Sequence, residues 1–148
     1  MPAVQTSYAQ TILPAVEGMI ANSEPHNIIS RQLESAAGIG FGKVCVQGTA
    51  DEQIRVSEAT RKFRGITVMS HHAGKGIADA YDQYETVPVL ERGCIWVMAS
   101  VAVAVGDPAY YVPATGVLTN VTTSNTLIPD GSFDSSTTGA GLAILRIG

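Results

Sequence analysis

Gly93-Cys94-Ile95-Trp96-Val97-Met98-Ala99-Ser100-Val101-Ala102-Val103-Ala104-Val105-Gly106-Asp107-Pro108 is the stretch on which the fold class turns. Its apolar residues alternate, Ile95 and Val97 against Trp96 and Met98, then Val101, Val103 and Val105 against Ala102 and Ala104. A period of two places alternate side chains on opposite sides of an extended chain, so one face of each strand can pack inward. Trp96, mid-strand between Ile95 and Val97, is assigned to the core. The run ends at Gly106-Asp107-Pro108, a turn by composition: Gly admits unusual φ, Asp bonds nearby backbone and Pro fixes φ on entering the next strand. Ser100 interrupts the apolar stretch from Cys94 to Val105, which is far short of the roughly 20 residues a membrane-spanning helix needs. The chain reads as soluble, with no membrane role.

Outward from this centre the same texture continues as short β-like runs bounded by Gly, Pro, Asn or Asp, the pattern of a sandwich or small barrel. Strands are predicted over Asn27–Leu33, Gly42–Gln47, Gln53–Val56, Arg64–Ser70, Thr86–Leu90, Cys94–Met98, Ala109–Val112, Thr126–Ile128 and Leu142–Ile147. Only Thr49–Glu58 and Ile77–Tyr84 have any helical character, and both are weak. Residues 120–138, rich in Thr, Ser, Asn, Gly and Asp, read as exposed turns with a short strand near Phe133.

Residues 1–26 differ from the body, residues 27–148. Their apolar residues are isolated, and Pro14 would break a helix built on the Tyr8, Ile12, Val16 spacing. An extended N-terminal arm is expected. Its apolar residues must be buried against the protein's own body or against a neighbouring subunit, since termini are ordered only when tied down.

Composition excludes several functions. The 148 residues suit one domain, and at that length about 68–70% of the unfolded surface can be buried without staples. Net charge is −4 and the nine Lys and Arg residues are scattered, so the basic stripe required by nucleic acid is missing. Arg61, Lys62 and Arg64 lie next to Glu58 and read as the solvated shoulder of a strand. Cys45 and Cys94 sit in apolar contexts typical of buried thiols, although a bridge between them is compatible with the sequence. The first thirty residues contain neither Lys nor Arg and carry three prolines, which does not match a secretion signal.

Candidate chemistry is sparse. His71 and His72 are adjacent, so in a regular strand they point to opposite faces and cannot share an ion; His26 is remote, and no zinc-like spacing exists. Ser70-His71 lacks a nucleophile elbow, and a pairing of Cys45 or Cys94 with His71 or His72 has no support from spacing. Gly38-Ile39-Gly40-Phe41-Gly42 lacks the Lys-Ser/Thr of a phosphate loop and precedes a strand, not a helix. No catalytic residue, cofactor or metal is expected.

Several segments, in order, resemble the phage structural cement proteins. Gly93-Cys94-Ile95-Trp96-Val97 followed by Val105-Gly106-Asp107-Pro108-Ala109-Tyr110-Tyr111 is similar to that family's "G-x-I-W-V … V-x-x-G-D-P-V-Y" centre. Phe41-Gly42-Lys43-Val44-Cys45-Val46-Gln47-Gly48 resembles its "F-G-R-A-V-V-x-G" strand, and Lys62-Phe63-Arg64-Gly65-Ile66-Thr67 its "F-x-G-I" strand. Ile128-Pro129-Asp130-Gly131-Ser132-Phe133 and Gly139-Ala140-Gly141-Leu142-Ala143-Ile144-Leu145 are similar to its closing segments, and Gly18-Met19-Ile20-Ala21 to a "G-M-I-A" arm segment. Ala109 in place of Val and the Ser/Thr-rich loop around Asn125 depart from the pattern.

The resemblance implies an all-β protein, a compact β-barrel or jelly-roll-like sandwich with an extended N-terminal arm. It also implies a non-enzymatic virion component on the outer capsid surface, assembled in the host cytoplasm. The implied partners are the phage major capsid protein, whose neighbouring subunits it bridges, and itself, as a homodimer or homotrimer. Tyr8, Ile12, Leu13, Met19 and Ile20 are the expected interface residues, helped by strand addition at a sheet edge. The alternative is a β-sandwich binding module that recognises carbohydrate or a host surface through the 120–138 loops, with Phe133, Tyr110 and Tyr111 as its aromatic residues.

Overall fold

The computed structural model describes residues 15–71 and 79–148, and among them there is no helix. Eleven strands form in chain order: β1 (Asn27–Leu33), β2 (Ile39–Gly40), β3 (Val44–Gln47), β4 (Gln53–Val56), β5 (Phe63–Thr67), β6 (Ala80–Tyr81), β7 (Thr86–Ala99), β8 (Pro108–Tyr111), β9 (Leu118–Thr119), β10 (Thr126–Phe133) and β11 (Gly141–Ile147).

Nine of them make one sheet ordered β1-β4-β3-β5-β7-β11-β10-β8-β9, and two further pairings close it on itself. Near its start β7 pairs with β1 on one side, Ile28 opposite Leu90, and with β5 on the other, Ile66 opposite Leu90. Strands β1, β4, β3, β5 and β7 thereby form a closed five-stranded barrel. At its far end β7 pairs with β11 from Gly93 to Ala99 and, through Ala99 and Leu118, with β9. That closes a second ring of β7, β11, β10, β8 and β9. The 14-residue β7 is the shared stave.

Two buried clusters fill these rings. The first holds Leu33, Ile39, Cys45, Ile54, Tyr81, Val87 and Val89. The second is larger and includes Val44, Ile66, Leu90, Ile95, Val97, Ile128, Phe133 and Leu145. Neighbours in sequence serve different cores: Val44 the second and Cys45 the first, Val89 the first and Leu90 the second. The wall between the rings is buried on both faces, which explains why Val44-Cys45-Val46 and Val89-Leu90 are continuous apolar runs without alternation. The short β2–β6 pair joins the first core, with Phe41 packed edge-to-face on Tyr81 at 5.2 Å and the Tyr81 hydroxyl donating to the Val68 carbonyl.

The structure departs from the sequence reading at several elements. Thr86–Leu90 and Cys94–Met98 belong to one strand, because an irregularity between Asn27 and Ile28 of β1 carries the pairing past Glu91. Residues 101–105 alternate but form no strand. Their amides are met by side chains instead: Val103 N–H donates to Thr137 Oγ1, Ala104 N–H to Asp107 Oδ2 and Val105 N–H to Ser136 Oγ. Thr49–Glu58 holds a turn and β4 with its predicted bounds, whereas β2, β6 and β9 were too short to leave a periodic signal. Trp96 is not in the core: Ile95 and Val97 take the inward positions, so the pleat turns Trp96 to the outer face, where it is half-buried.

Candidate adhesive surface

The arm's root is built by backbone geometry. Gly18 N–H donates to Trp96 O, Trp96 N–H to Met19 O, and Ala21 N–H to Cys94 O, so residues 18–21 extend the sheet along β7, with Ile20 opposite Ile95. Across the approach, Met69 N–H donates to Gly18 O. Gly18 and Gly42 meet almost backbone to backbone, and a Cβ on Gly18 would stand 2.8 Å from Phe41 Cβ and 2.9 Å from Gly42 N. Two ion pairs fasten the same segment, Lys43 to Glu17 at 2.9 Å and Arg146 to Glu24 at 3.3 Å.

This pairing sorts the expected interface residues. Ile20 lies on the Ile95 face and packs against the second core. Met19 alternates to the other face and is 37% exposed. Tyr8, Ile12 and Leu13 lie outside the described residues.

Beside Met19 the outer face is apolar. Ile144 of β11 stands opposite Trp96, and Leu142 opposite Met98, so all four side chains share one face. Met98 and Val117, each 43% exposed, line a 340 Å³ cleft with Glu17, Lys43 and Ser100, and Val16 is 48% exposed nearby in the chain. Trp96, Leu142 and Ile144 are half-buried there and Met98 is exposed, so this face presents apolar side chains at the surface. Sequence reasoning missed it by assigning Trp96 inward. The signal was present: both faces of Cys94–Met98 are apolar, so the second face also needs cover.

Reactive groups are placed for packing. Both cysteines are buried and free. Burial pushes the Cys45 thiol up to about 12, and burial is also the first cause raising that of Cys94, whose Sγ lies 3.5 Å from Glu24 Oε2. Such thiols are poor nucleophiles. Among the described residues no group of three or more His, Cys, Asp or Glu could hold a metal ion. His72 of the adjacent histidine pair lies outside the described residues.

The proposed aromatic platform does not form, because Phe133 and Tyr111 are buried in the second core, where Tyr111 stacks at a tilt on Phe63 at 5.7 Å. As whole strands the nine-stranded sheet closes on itself, and the β7 edge at Cys94 and Trp96 is taken by residues 18–21 of the same chain.

Comparison with known proteins adds the following. The family model described as "Structural cement protein (E217 gp24/Pam3 gp6)" matches residues 4–148. No curated protein matches the sequence. A chain from the solved capsid of Myoviridae phage XM1 superposes with a TM-score of 0.78 at 17% identity, over 99% of this chain and 98% of that one, a likeness of fold. A chain of the head fibre gp8.5 N base of bacteriophage phi29 gives a TM-score of 0.48 at 15% identity, over 84% and 95% of the two chains.

Proposed function

The chain belongs to the phage structural cement proteins, and from that premise we propose that it holds a capsid together by adhesion alone, without a catalytic step. Copies bind the outer surface of the shell, and each bridges neighbouring subunits of the major capsid protein. The observation that carries this reading is the extent of the family match, residues 4–148. Arm and body alike fall within the cement unit.

The apolar face around Met19, Trp96 and Met98 supports the reading, because adhesion draws on apolar area removed from water. Tyr8, Ile12, Leu13 and Met19 make the contacts, while Ile20 anchors the arm to its own body. The protein acts as a homodimer or homotrimer. A stable interface commonly buries about 1,200–2,000 Å², and a protein that binds only the assembled shell shifts the equilibrium away from disassembly by mass action.

The test mixes purified protein with undecorated mature capsids and with proheads, then sediments them. Saturation at a fixed ratio to the capsid protein is expected; binding to glycans without binding to capsids would overturn the reading. For the arm, removal of residues 1–14 or the substitution Met19→Asp should weaken attachment while leaving the near-ultraviolet dichroism of the body intact. Unchanged attachment of both variants would remove the arm from the interface.

A further inference from the structure

A second surface combines charged side chains with an apolar wall. Where the two rings meet, a 530 Å³ cleft is lined by Lys62, Phe63 and Arg64 before and on β5, Glu91 and Arg92 on β7, and Asp130 on β10.

Its cations are unusual within this molecule. Eight of the nine Lys and Arg residues are described, and five of them are ion-paired: Lys43, Arg55, Arg61, Arg64 and Arg146. Of the three without an acidic partner, Arg31, Lys62 and Arg92, two line this one cleft. Both are exposed. Of the two carboxylates there, Glu91 is already engaged, at 3.3 Å from Arg64 and accepting from Asn27 Nδ2 at 3.0 Å. Asp130 is left with Lys62 and Arg92, so the side chains lining the cleft carry one more positive than negative charge, in a chain whose formal net charge is −4. Phe63, half-buried against Tyr111, supplies an apolar wall.

We propose that this cleft receives an acidic segment of the capsid protein, with Lys62 and Arg92 engaging its carboxylates and Phe63 contacting the methylene stem. Arg presents a planar fork that matches a carboxylate, and Lys adds a point charge. Nucleic acid is a poor fit to two cations on an otherwise acidic protein. The assignment rests on the cement reading and adds to it a polar contact that fixes register and speeds encounter.

Binding to undecorated capsids is titrated by co-sedimentation at low and at physiological salt. The comparison is among the unaltered protein, the pair Lys62→Glu/Arg92→Glu, the milder pair Lys62→Gln/Arg92→Gln, and Arg31→Glu as a control that alters the other unpaired cation among the described residues, outside the cleft. Thermal melting of each variant reports folding, and the Gln pair carries the test if the Glu pair does not fold. The cleft variants should bind about ten-fold more weakly or worse and lose part of their salt dependence, with Arg31→Glu changed by less than about three-fold. Capsid binding undiminished in the cleft variants overturns the cleft while leaving the cement reading intact. So does an equal loss in Arg31→Glu, which would mean that net charge alone is sensed. Failure of the unaltered protein to bind capsids overturns the cement reading, and the cleft assignment with it.

Discussion

Gly18 shows how far single residues decide the arm's placement. Its φ of +84° lies in the left-handed region, and a Cβ there would collide with Phe41 Cβ and the backbone of Gly42 and Met69. Gly18→Ala should therefore cost about 1–3 kcal/mol, seen as a lower thermal midpoint, and an unchanged midpoint would mean that the arm's root contributes nothing to stability. Burial raises both the Cys45 thiol and the Tyr81 hydroxyl to about 12, with Glu85 adding to the rise at Tyr81. The unfolded groups titrate near 8.5 and 10, so the folded state holds these protons more tightly. The stability they contribute is complete below the unfolded values and is lost as pH climbs towards about 12, by roughly 1.4 kcal/mol per pH unit from Cys45. Denaturant midpoints between pH 8 and 11, a window set by those unfolded values, should fall less steeply for Cys45→Ala than for the unaltered chain; parallel slopes would place the titration elsewhere. On the acid side Asp107 runs the other way. Hydrogen bonds from Asn120 Nδ2 and the Ala104 amide hold its carboxyl below the usual range, so its contribution is present above that range and lost as pH falls through the lowered value.

Among elements, the short arm segment and β7 depend on each other. Residues 18–21 satisfy the Trp96 amide and the Trp96 and Cys94 carbonyls at a β7 edge that would otherwise face water. Removing residues 1–21 should lower stability by roughly 2–4 kcal/mol, at about 1 kcal/mol for each backbone hydrogen bond lost, and speed hydrogen exchange at the Trp96 amide. Removing residues 1–14 should leave that amide protected. Equal exchange in the two truncations would contradict the pairing. Most of the body strands were legible: β1 and β4 match their predicted bounds, because alternation and flanking turn residues agree there. Residues 101–105 were misread because alternation is necessary for a half-buried strand but not sufficient. Their amides found Thr137, Ser136 and Asp107 side chains, and a partner strand is a tertiary fact.

For the molecule as a whole, the two cores share β7 and the wall formed with β3 and β5, so neither ring can lose its packing without stripping the other. Ile54→Ala in the first core and Ile128→Ala in the second should each cost about 2–5 kcal/mol and shift one common unfolding transition. Two separate calorimetric transitions would show that the rings unfold independently. The candidate site was only partly readable. Met19 was named from sequence, whereas Trp96, Met98, Ile144, Lys62 and Arg92 required knowledge of which face is covered and which charges are paired. By itself the sequence determined the all-β class, the positions of the longer strands and the buried thiols, since period, turn chemistry and side-chain polarity act within a few residues of chain. Only the tertiary structure decided that two rings close on a shared stave, that Trp96 faces outward, and that Lys62 and Arg92 line one cleft without acidic partners. Those outcomes depend on contacts between segments tens of residues apart, and no local pattern encodes which neighbour arrives.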